Sequence, residues 1–228
     1  MVTRLFLVRH GATSHSAEDR FAGWTDVDLS AEGRAQVERL ARRLADDRVR
    51  AVYCSPLRRT LDTAAFLARP HGLEPLTRDG LREINHGRWE GLRRAEVEER
   101  FPEEYAAWEE DPFTFAPEGG ESGLDVMARA LPVIRDIVLT HEGQNVIVVS
   151  HKATLRLVIS SLLGFEARGY RDRLDQSPAC LNVIDFKDPV RARLMLFNDV
   201  SHYADHPGRP RLQLSKWWDQ PERDDARG

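Results

Sequence analysis

The sequence predicts an α/β fold, specifically a three-layer α/β/α sandwich with a mostly parallel central sheet and a small helical cap insertion. Short apolar segments alternate along the chain with longer segments whose apolar residues recur at helical spacing. This alternation favours a parallel sheet covered by helices on both faces. Two of the apolar segments end at a histidine, His10 and His151. Because ligands bind at the carboxyl edge of such sheets, the two histidines indicate where a site would lie.

The predicted strands are short and apolar. They are Leu5–Val8, Ala51–Cys54 and Asn145–Val149, followed by Leu181–Phe186 and Arg193–Phe197 as closing strands. No segment approaches the ~20 apolar residues of a membrane span, so we expect no membrane interaction.

Four segments are predicted to be helices. The first is capped by Ser30 and carries Val37, Leu40, Ala41 and Leu44 on one face, and the others are Leu57–Leu67, Ser122–Thr140 and Lys152–Leu163. Gly33 is a poor but tolerated residue in the first turn. Pro132 is expected to kink or break the third helix. The first amides of the fourth helix are expected to face an anion at the site.

Composition is consistent with a single domain over residues 1–220, with the cap insertion at about 88–120 and a disordered tail at 221–228. The net charge of −4 disfavours nucleic-acid binding. Only two cysteines are present, which argues against a disulfide framework and predicts a cytoplasmic protein. A homodimer is possible on base rates alone.

The first strand stops at Arg9-His10-Gly11. Arginine presents a planar fork of donors to phosphate oxygens, and a neutral imidazole can attack phosphorus. We expect Gly11 to let a ligand approach the backbone closely. The alternative interpretation is an ordinary strand end with a histidine in the following loop.

Further motifs accompany this one in a particular order. They are Ser55-Pro56-Leu57-x-Arg59 with Thr63, Glu83 four residues before Gly87, and Ser150-His151 with Arg156. With Arg9-His10-Gly11 and Thr13, they resemble the histidine phosphatase superfamily, the phosphoglycerate-mutase-like group, in order and spacing. The resemblance covers about residues 3–200.

The resemblance implies a phosphohistidine mechanism. His10 would attack the phosphoryl group in line, and Glu83 would protonate the leaving alcohol and then take a proton from water. Arg9, Arg59 and His151 would neutralise the phosphate. The family spacing selects Arg59 rather than Arg58.

The resemblance also indicates residues that bind the substrate. They are Thr13, Ser16, Ala22, Gly23, Arg94 and Lys152. Ser16 stands where the family often has Asn, and Lys152 where it usually has Gly. The ammonium of Lys152 either adds charge to the pocket or points to solvent, and the sequence leaves both open.

The substrate is expected to be a small phosphorylated metabolite. Glu103–Gly120 has no Arg or Lys, whereas the mutases resembled here have a longer insertion with paired Arg residues. This favours a phosphatase. Arg94 matches a mutase Lys position, which keeps a cofactor-dependent phosphoglycerate mutase as the alternative, and a noncatalytic phospho-ligand binding module is a remote third. No carboxylate cluster suited to Mg²⁺ is visible, so we expect no metal and no cofactor.

Overall fold

The computed structural model describes residues 1–14 and 20–208. Within them, one six-stranded sheet forms the centre of the molecule. Its strands are β1 (Thr3–Arg9), β2 (Val49–Cys54), β3 (Leu76–Thr77), β4 (Asn145–Ser150), β5 (Leu181–Phe186) and β6 (Ala192–Asp199). Their spatial order is β3-β2-β4-β1-β5-β6.

The sheet is mostly parallel, as the sequence predicts. Strands β3, β2, β4 and β1 run in the same direction, whereas β5 is antiparallel to β1 and β6 is antiparallel to β5. In the β1–β4 register, Arg9 lies opposite Ser150. The residues that follow these two strands, His10 and His151, therefore leave the sheet side by side.

Seven helices accompany the sheet in the described part of the chain. They are α1 (Ala31–Leu44), α2 (Arg58–Ala68), α3 (Arg94–Arg100), α4 (Pro102–Glu110), α5 (Gly123–Thr140), α6 (Lys152–Leu162) and α7 (Tyr170–Arg173). Ser30 caps α1 by accepting from the Gly33 N–H, as expected. Helix α5 continues through Pro132, so the proline does not break it.

Alternating side chains of the central strands build the two halves of the core. Phe6 and Val8 pack on the side of α1 and α2, whereas Leu5 and Leu7 face α5 and α6. Each face of the sheet is thus covered by helices, which gives the three-layer sandwich that the sequence predicts.

Residues 88–120 contain α3 and α4 and have a small aromatic core of their own. Phe21 packs against Trp89 and Trp108, with ring centroids 5.2 and 5.4 Å apart. Burying these large rings fixes the segment against the loop that carries Phe21, and this loop continues into the candidate site.

Strand β3 and helix α7 were not predicted. Ser16 and the tail 221–228, both subjects of the sequence analysis, lie outside the described residues. Among the described residues, no helix has the length and apolar character needed to cross a membrane.

Candidate active site

His10 is fixed at the carboxyl end of β1 by its own backbone. Its N–H donates to Ser150 O at 3.1 Å, and its carbonyl accepts from the Ala179 N–H at 3.0 Å. The His10 and His151 ring centroids are 5.2 Å apart, and both residues are buried. The sheet therefore brings the two sequence-predicted histidines together.

The His10 ring is held in one tautomer. Its Nδ1 lies 2.8 Å from Gly11 O, and because a carbonyl can only accept, Nδ1 carries the proton. Burial, together with the positive charges of Arg59 and Arg9, holds the pKa of His10 well below its ordinary value. The ring is thus neutral near pH 7 with the lone pair on Nε2, which is the form that a nucleophile requires.

The loop after His10 is tied to α1 and α2. The Gly11 N–H donates to Thr63 Oγ1 at 3.2 Å. A Cβ on Gly11 would lie 2.6 Å from Gly33 O, and a Cβ on Gly33 would lie 2.1 Å from Ala12 O. Gly11 therefore allows close packing against α1, and the expectation that it also lets a ligand approach the backbone stays a prediction. Gly33 is required by the same contact rather than merely tolerated.

His151 is the first residue before α6, and both of its ring nitrogens are bonded. Nδ1 accepts from Arg59 Nε at 3.2 Å, so Nε2 carries the proton and donates to Ser55 Oγ at 2.8 Å. Burial and the charge of Arg59 keep the pKa of His151 well below its ordinary value. His151 is therefore also neutral in the free site.

Arg59 lies inside the molecule and Arg58 outside it. Arg59 is 2% exposed, and besides His151 it donates to Thr25 O at 2.9 Å and to Gly23 O at 2.7 Å. The Arg58 side chain is 60% exposed and pairs with Asp62. The structure thus places in the site the arginine that the family spacing selects.

Arg9 has an unused donor. Its Nη1 donates to Gln176 O at 2.6 Å, but its Nε is buried without a hydrogen-bond partner among the described residues. A buried guanidinium N–H left unpaired is costly, and an anion would satisfy it.

Glu83 occupies the amino end of α6. Oε1 accepts from the N–H of Ile84 at 3.0 Å and from the N–H and hydroxyl of Thr154, both at 3.1 Å. Oε2 accepts from the Ala153 N–H at 3.1 Å. The anion at these amides is therefore the Glu83 carboxylate, which corrects the expectation that the amides face a bound anion. These bonds hold the carboxyl group in one position.

Two further predicted residues, Lys152 and Thr13, lie around this centre. Lys152 is two-thirds buried and its ammonium lies 3.0 Å from Asp175, so it does not point freely to solvent. Burial lowers its pKa to about 8, and the charges of Arg156 and Arg9 act in the same direction. Thr13 is buried and bridges to Leu29.

Arg94 and Ala22 are placed less directly. Arg94 begins α3 in the cap. Its positive charge acts on Tyr105, whose pKa is raised mainly by burial. Ala22 is half-buried beside Gly23.

Glu90 is a site residue that the sequence analysis missed. Its Oε1 accepts from the N–H groups of Gly23, Trp24 and His86 at 3.1, 2.9 and 3.0 Å. Its Oε2 accepts from the N–H and hydroxyl of Thr25 at 3.2 and 2.6 Å. Burial alone would raise the pKa of Glu90, but these hydrogen bonds outweigh it and the pKa is lowered.

Glu90 and Arg59 are therefore connected through the same loop. The carbonyls that accept from Arg59 belong to Gly23 and Thr25, the residues whose N–H groups Glu90 holds. No local pattern could have revealed this connection, because the partners lie 65 and 67 residues earlier in the chain.

The sequence matches a known family over most of its length. Residues 5–200 match the histidine phosphatase superfamily, branch 1. The chain belongs to this superfamily. The resemblance noted from the sequence is confirmed, and the match covers the sheet, the cap and every catalytic residue proposed from the motifs.

Several relatives of the chain are named as phosphatases. The chain is 36% identical over 165 residues to phosphoserine phosphatase 1 of Hydrogenobacter thermophilus, covering 72% of this chain and 78% of the relative. It is 35% identical over 201 residues to a bifunctional protein of Mycobacterium tuberculosis, covering 88% of this chain but 55% of that protein.

Solved structures agree with the family assignment. The structure of a mycobacterial glucosyl-3-phosphoglycerate phosphatase superposes with a TM-score of 0.79 at 30% identity, covering 87% of this chain and 99% of the other. At the level of reaction class, these comparisons confirm the prediction of a phosphoric monoester hydrolase.

Proposed function

We propose that the protein hydrolyses small phosphomonoesters without a metal ion, through a phosphohistidine intermediate on His10. The observation that carries this proposal is the state of the His10 ring, neutral and with its Nε2 lone pair unprotonated, beside Arg9 and Arg59. A nucleophile and the charges that would neutralise its substrate thus share one buried site.

The phosphate dianion would bind between the two arginines. The unpaired Nε of Arg9 supplies one donor toward it. Arg59 is held by Gly23 and Thr25, so its guanidinium is positioned before the substrate arrives. Two positive charges match the dianion and stabilise the charge that spreads over the equatorial oxygens in the transition state.

Phosphoryl transfer then takes place in two steps. In the first, His10 Nε2 forms a bond to phosphorus while the ester P–O bond breaks, and protonated Glu83 gives its proton to the departing alkoxide. In the second, water attacks the phosphohistidine, Glu83 takes a proton from that water, and the P–N bond breaks. Oε2 of Glu83 accepts one hydrogen bond and Oε1 three, so Oε2 has the lone pair available to carry the proton.

The cofactor-dependent mutase is the alternative. The stretch Glu103–Gly120 contains no Arg or Lys that could grip a substrate carboxylate from the cap. Product analysis separates the two activities, because a phosphatase releases inorganic phosphate from 3-phosphoglycerate whereas a mutase returns 2-phosphoglycerate.

The proposal is tested by phosphate release from a panel of metabolites, with His10→Ala as the decisive variant. We expect His10→Ala to abolish release, and wild-type protein given radiolabelled substrate and quenched to show acid-labile label on His10. Arg58→Ala is the matched control, because Arg58 is exposed and adjacent to Arg59. Equal activity in His10→Ala and wild type would refute the mechanism, and activity lost in EDTA and restored by a divalent metal would refute its metal independence.

A further inference from the structure

A second cluster of charges lies next to the proposed phosphate site. Lys152 Nζ and Arg156 Nη2 both contact the same oxygen of Asp175, at 3.0 and 2.9 Å. The following residue, Gln176, holds Arg9 through its carbonyl. The cluster is therefore connected directly to Arg9, the arginine that ends β1.

This cluster has a donor that the protein does not use. The Arg156 side chain is 11% exposed, and its Nε is buried without a hydrogen-bond partner among the described residues. Arg9 Nε is in the same condition. Buried charged donors without partners are uncommon in folded proteins, and an anionic group bound at this position would satisfy both of them.

The phosphate site and the neighbouring cluster differ in net charge. Arg9 and Arg59 together match a phosphate dianion. In the neighbouring cluster, Lys152 and Arg156 carry two positive charges and Asp175 one negative, which leaves a single positive charge. A carboxylate carries one negative charge at neutral pH and accepts from both Arg and Lys.

The charged groups that act on Lys152 and Arg156 belong to the cluster itself or to the proposed catalytic site. Lys152 is affected by Arg156, Arg9 and Asp175, and Arg156 also by Glu83. Lys152, Arg156 and Arg9 carry three positive charges and Asp175 and Glu83 two negative ones, so one positive charge remains when Arg9, which also faces the proposed phosphate, is counted. The position therefore favours an anion both through its unpaired donor and through its local field.

We propose that Lys152 and Arg156 bind a carboxylate on the organic part of the substrate, so that the preferred substrates are phosphomonoesters of hydroxy acids. This inference rests on the proposed phosphatase function and adds to it the chemical class of the leaving group. The cap has no Arg or Lys between residues 103 and 120. In this proposal, Lys152 supplies the recognition of the carboxylate instead.

The experiment uses pairs of substrates that differ in the carboxylate. O-phosphoserine is compared with O-phosphoethanolamine, and 3-phosphoglycerate with glycerol 1-phosphate. The readout is the ratio of kcat/KM within each pair, because a change in phosphoryl transfer itself affects both members and cancels. A partly buried charged hydrogen bond contributes about 1.5–3 kcal/mol, so we expect a carboxylate preference of roughly 10- to 100-fold.

The variants are Lys152→Met, Lys152→Arg and, as the matched control, Lys187→Met. Lys187 is exposed and lies just beyond β5. We expect Lys152→Met to reduce the preference at least about fivefold, Lys152→Arg to restore most of it, and Lys187→Met to retain it.

Two outcomes would overturn the inference while leaving the phosphatase intact. One is a wild-type ratio near one in both pairs, and the other is an unchanged ratio in Lys152→Met. Failure of the proposed function gives a different result, since wild-type protein would then release no phosphate from any substrate, 4-nitrophenyl phosphate included.

Discussion

Replacing Glu90 with Gln tests whether the Glu90 carboxylate positions the catalytic arginine. The amide can keep one oxygen toward the N–H groups of Gly23, Trp24 and His86. Its NH₂ group then faces the N–H of Thr25, where the carboxylate accepts in the native protein. One backbone hydrogen bond is lost, and three others lose their ionic character.

The magnitude follows from these contacts. A hydrogen bond to a charged group contributes about 1.5–3 kcal/mol and a neutral one about 0.5–1.5, so each of the three weakened bonds loses roughly 1 kcal/mol. The lost bond to Thr25, which is a bond to a charged group, adds about 1.5 kcal/mol more. Because the loop is partly exposed, solvent compensates about half, which leaves a loss of about 2 kcal/mol in the free energy of unfolding. For a protein of this size, Tm should fall by roughly 4–8 °C.

We also expect an effect on catalysis that is separate from the loss of stability. When the loop loosens, the carbonyls of Gly23 and Thr25 no longer fix Arg59, and a displacement of about 1 Å in such a group costs about 10²-fold in rate. We therefore expect kcat to fall by roughly 10- to 100-fold at a temperature where the variant is fully folded.

The assay is phosphate release measured beside a thermal denaturation curve. Glu99→Gln is the control, because Glu99 is an exposed residue of α3. If Glu90→Gln lowers Tm but retains the wild-type kcat, Glu90 stabilises the loop only and the argument for positioning Arg59 is wrong.

Three further predictions follow from the geometry. Glu83→Gln should slow alkyl phosphates by about 10²–10⁴-fold and aryl phosphates much less, as measured by kcat on both, because a phenolate leaves without a proton; equal losses would contradict the role of general acid. The carboxylate preference should decline above pH 8, as Lys152 with its lowered pKa of about 8 loses its proton, and a ratio of kcat/KM that stays constant to pH 9.5 would contradict this. Gly33→Ala should destabilise the protein by about 1–3 kcal/mol in denaturant unfolding, because the new methyl group would lie 2.1 Å from Ala12 O, and an unchanged midpoint would refute that contact.

The sequence was sufficient for the sheet because its central strands are continuous apolar runs. A run such as Asn145–Ser150 is buried on both faces, so its composition alone distinguishes it from a surface segment. Because parallel strands end at the same edge of a sheet, the sequence also predicts that His10 and His151 lie close together. Strand β3 escapes detection because it has two residues, Leu76 and Thr77, and both are exposed.

The roles of some individual residues could be predicted from the sequence, and those of others could not. Motif spacing distinguishes Arg59 from Arg58 because the turn of α2 that carries them has one buried and one exposed side. The packing role of Gly11 was not predicted, because it depends on Gly33, in a helix that packs against the loop. Contacts between distant segments decide such cases, and a single sequence does not contain them.

The carboxylates around the site have their hydrogen-bond partners within the protein, whereas two of the arginines each lack one. The carboxylates of Glu83 and Glu90 are each held by at least four N–H or O–H donors, so neither needs a ligand. Arg9 and Arg156 each retain a buried Nε without a partner. Unmade hydrogen bonds of this kind cost stability in the free protein and are recovered only when an acceptor binds. Among the described residues of the site, the unmade hydrogen bonds are those of these two arginine donors. If the two proposals above are right, the substrate presents a phosphate oxygen to Arg9 and a carboxylate oxygen to Arg156.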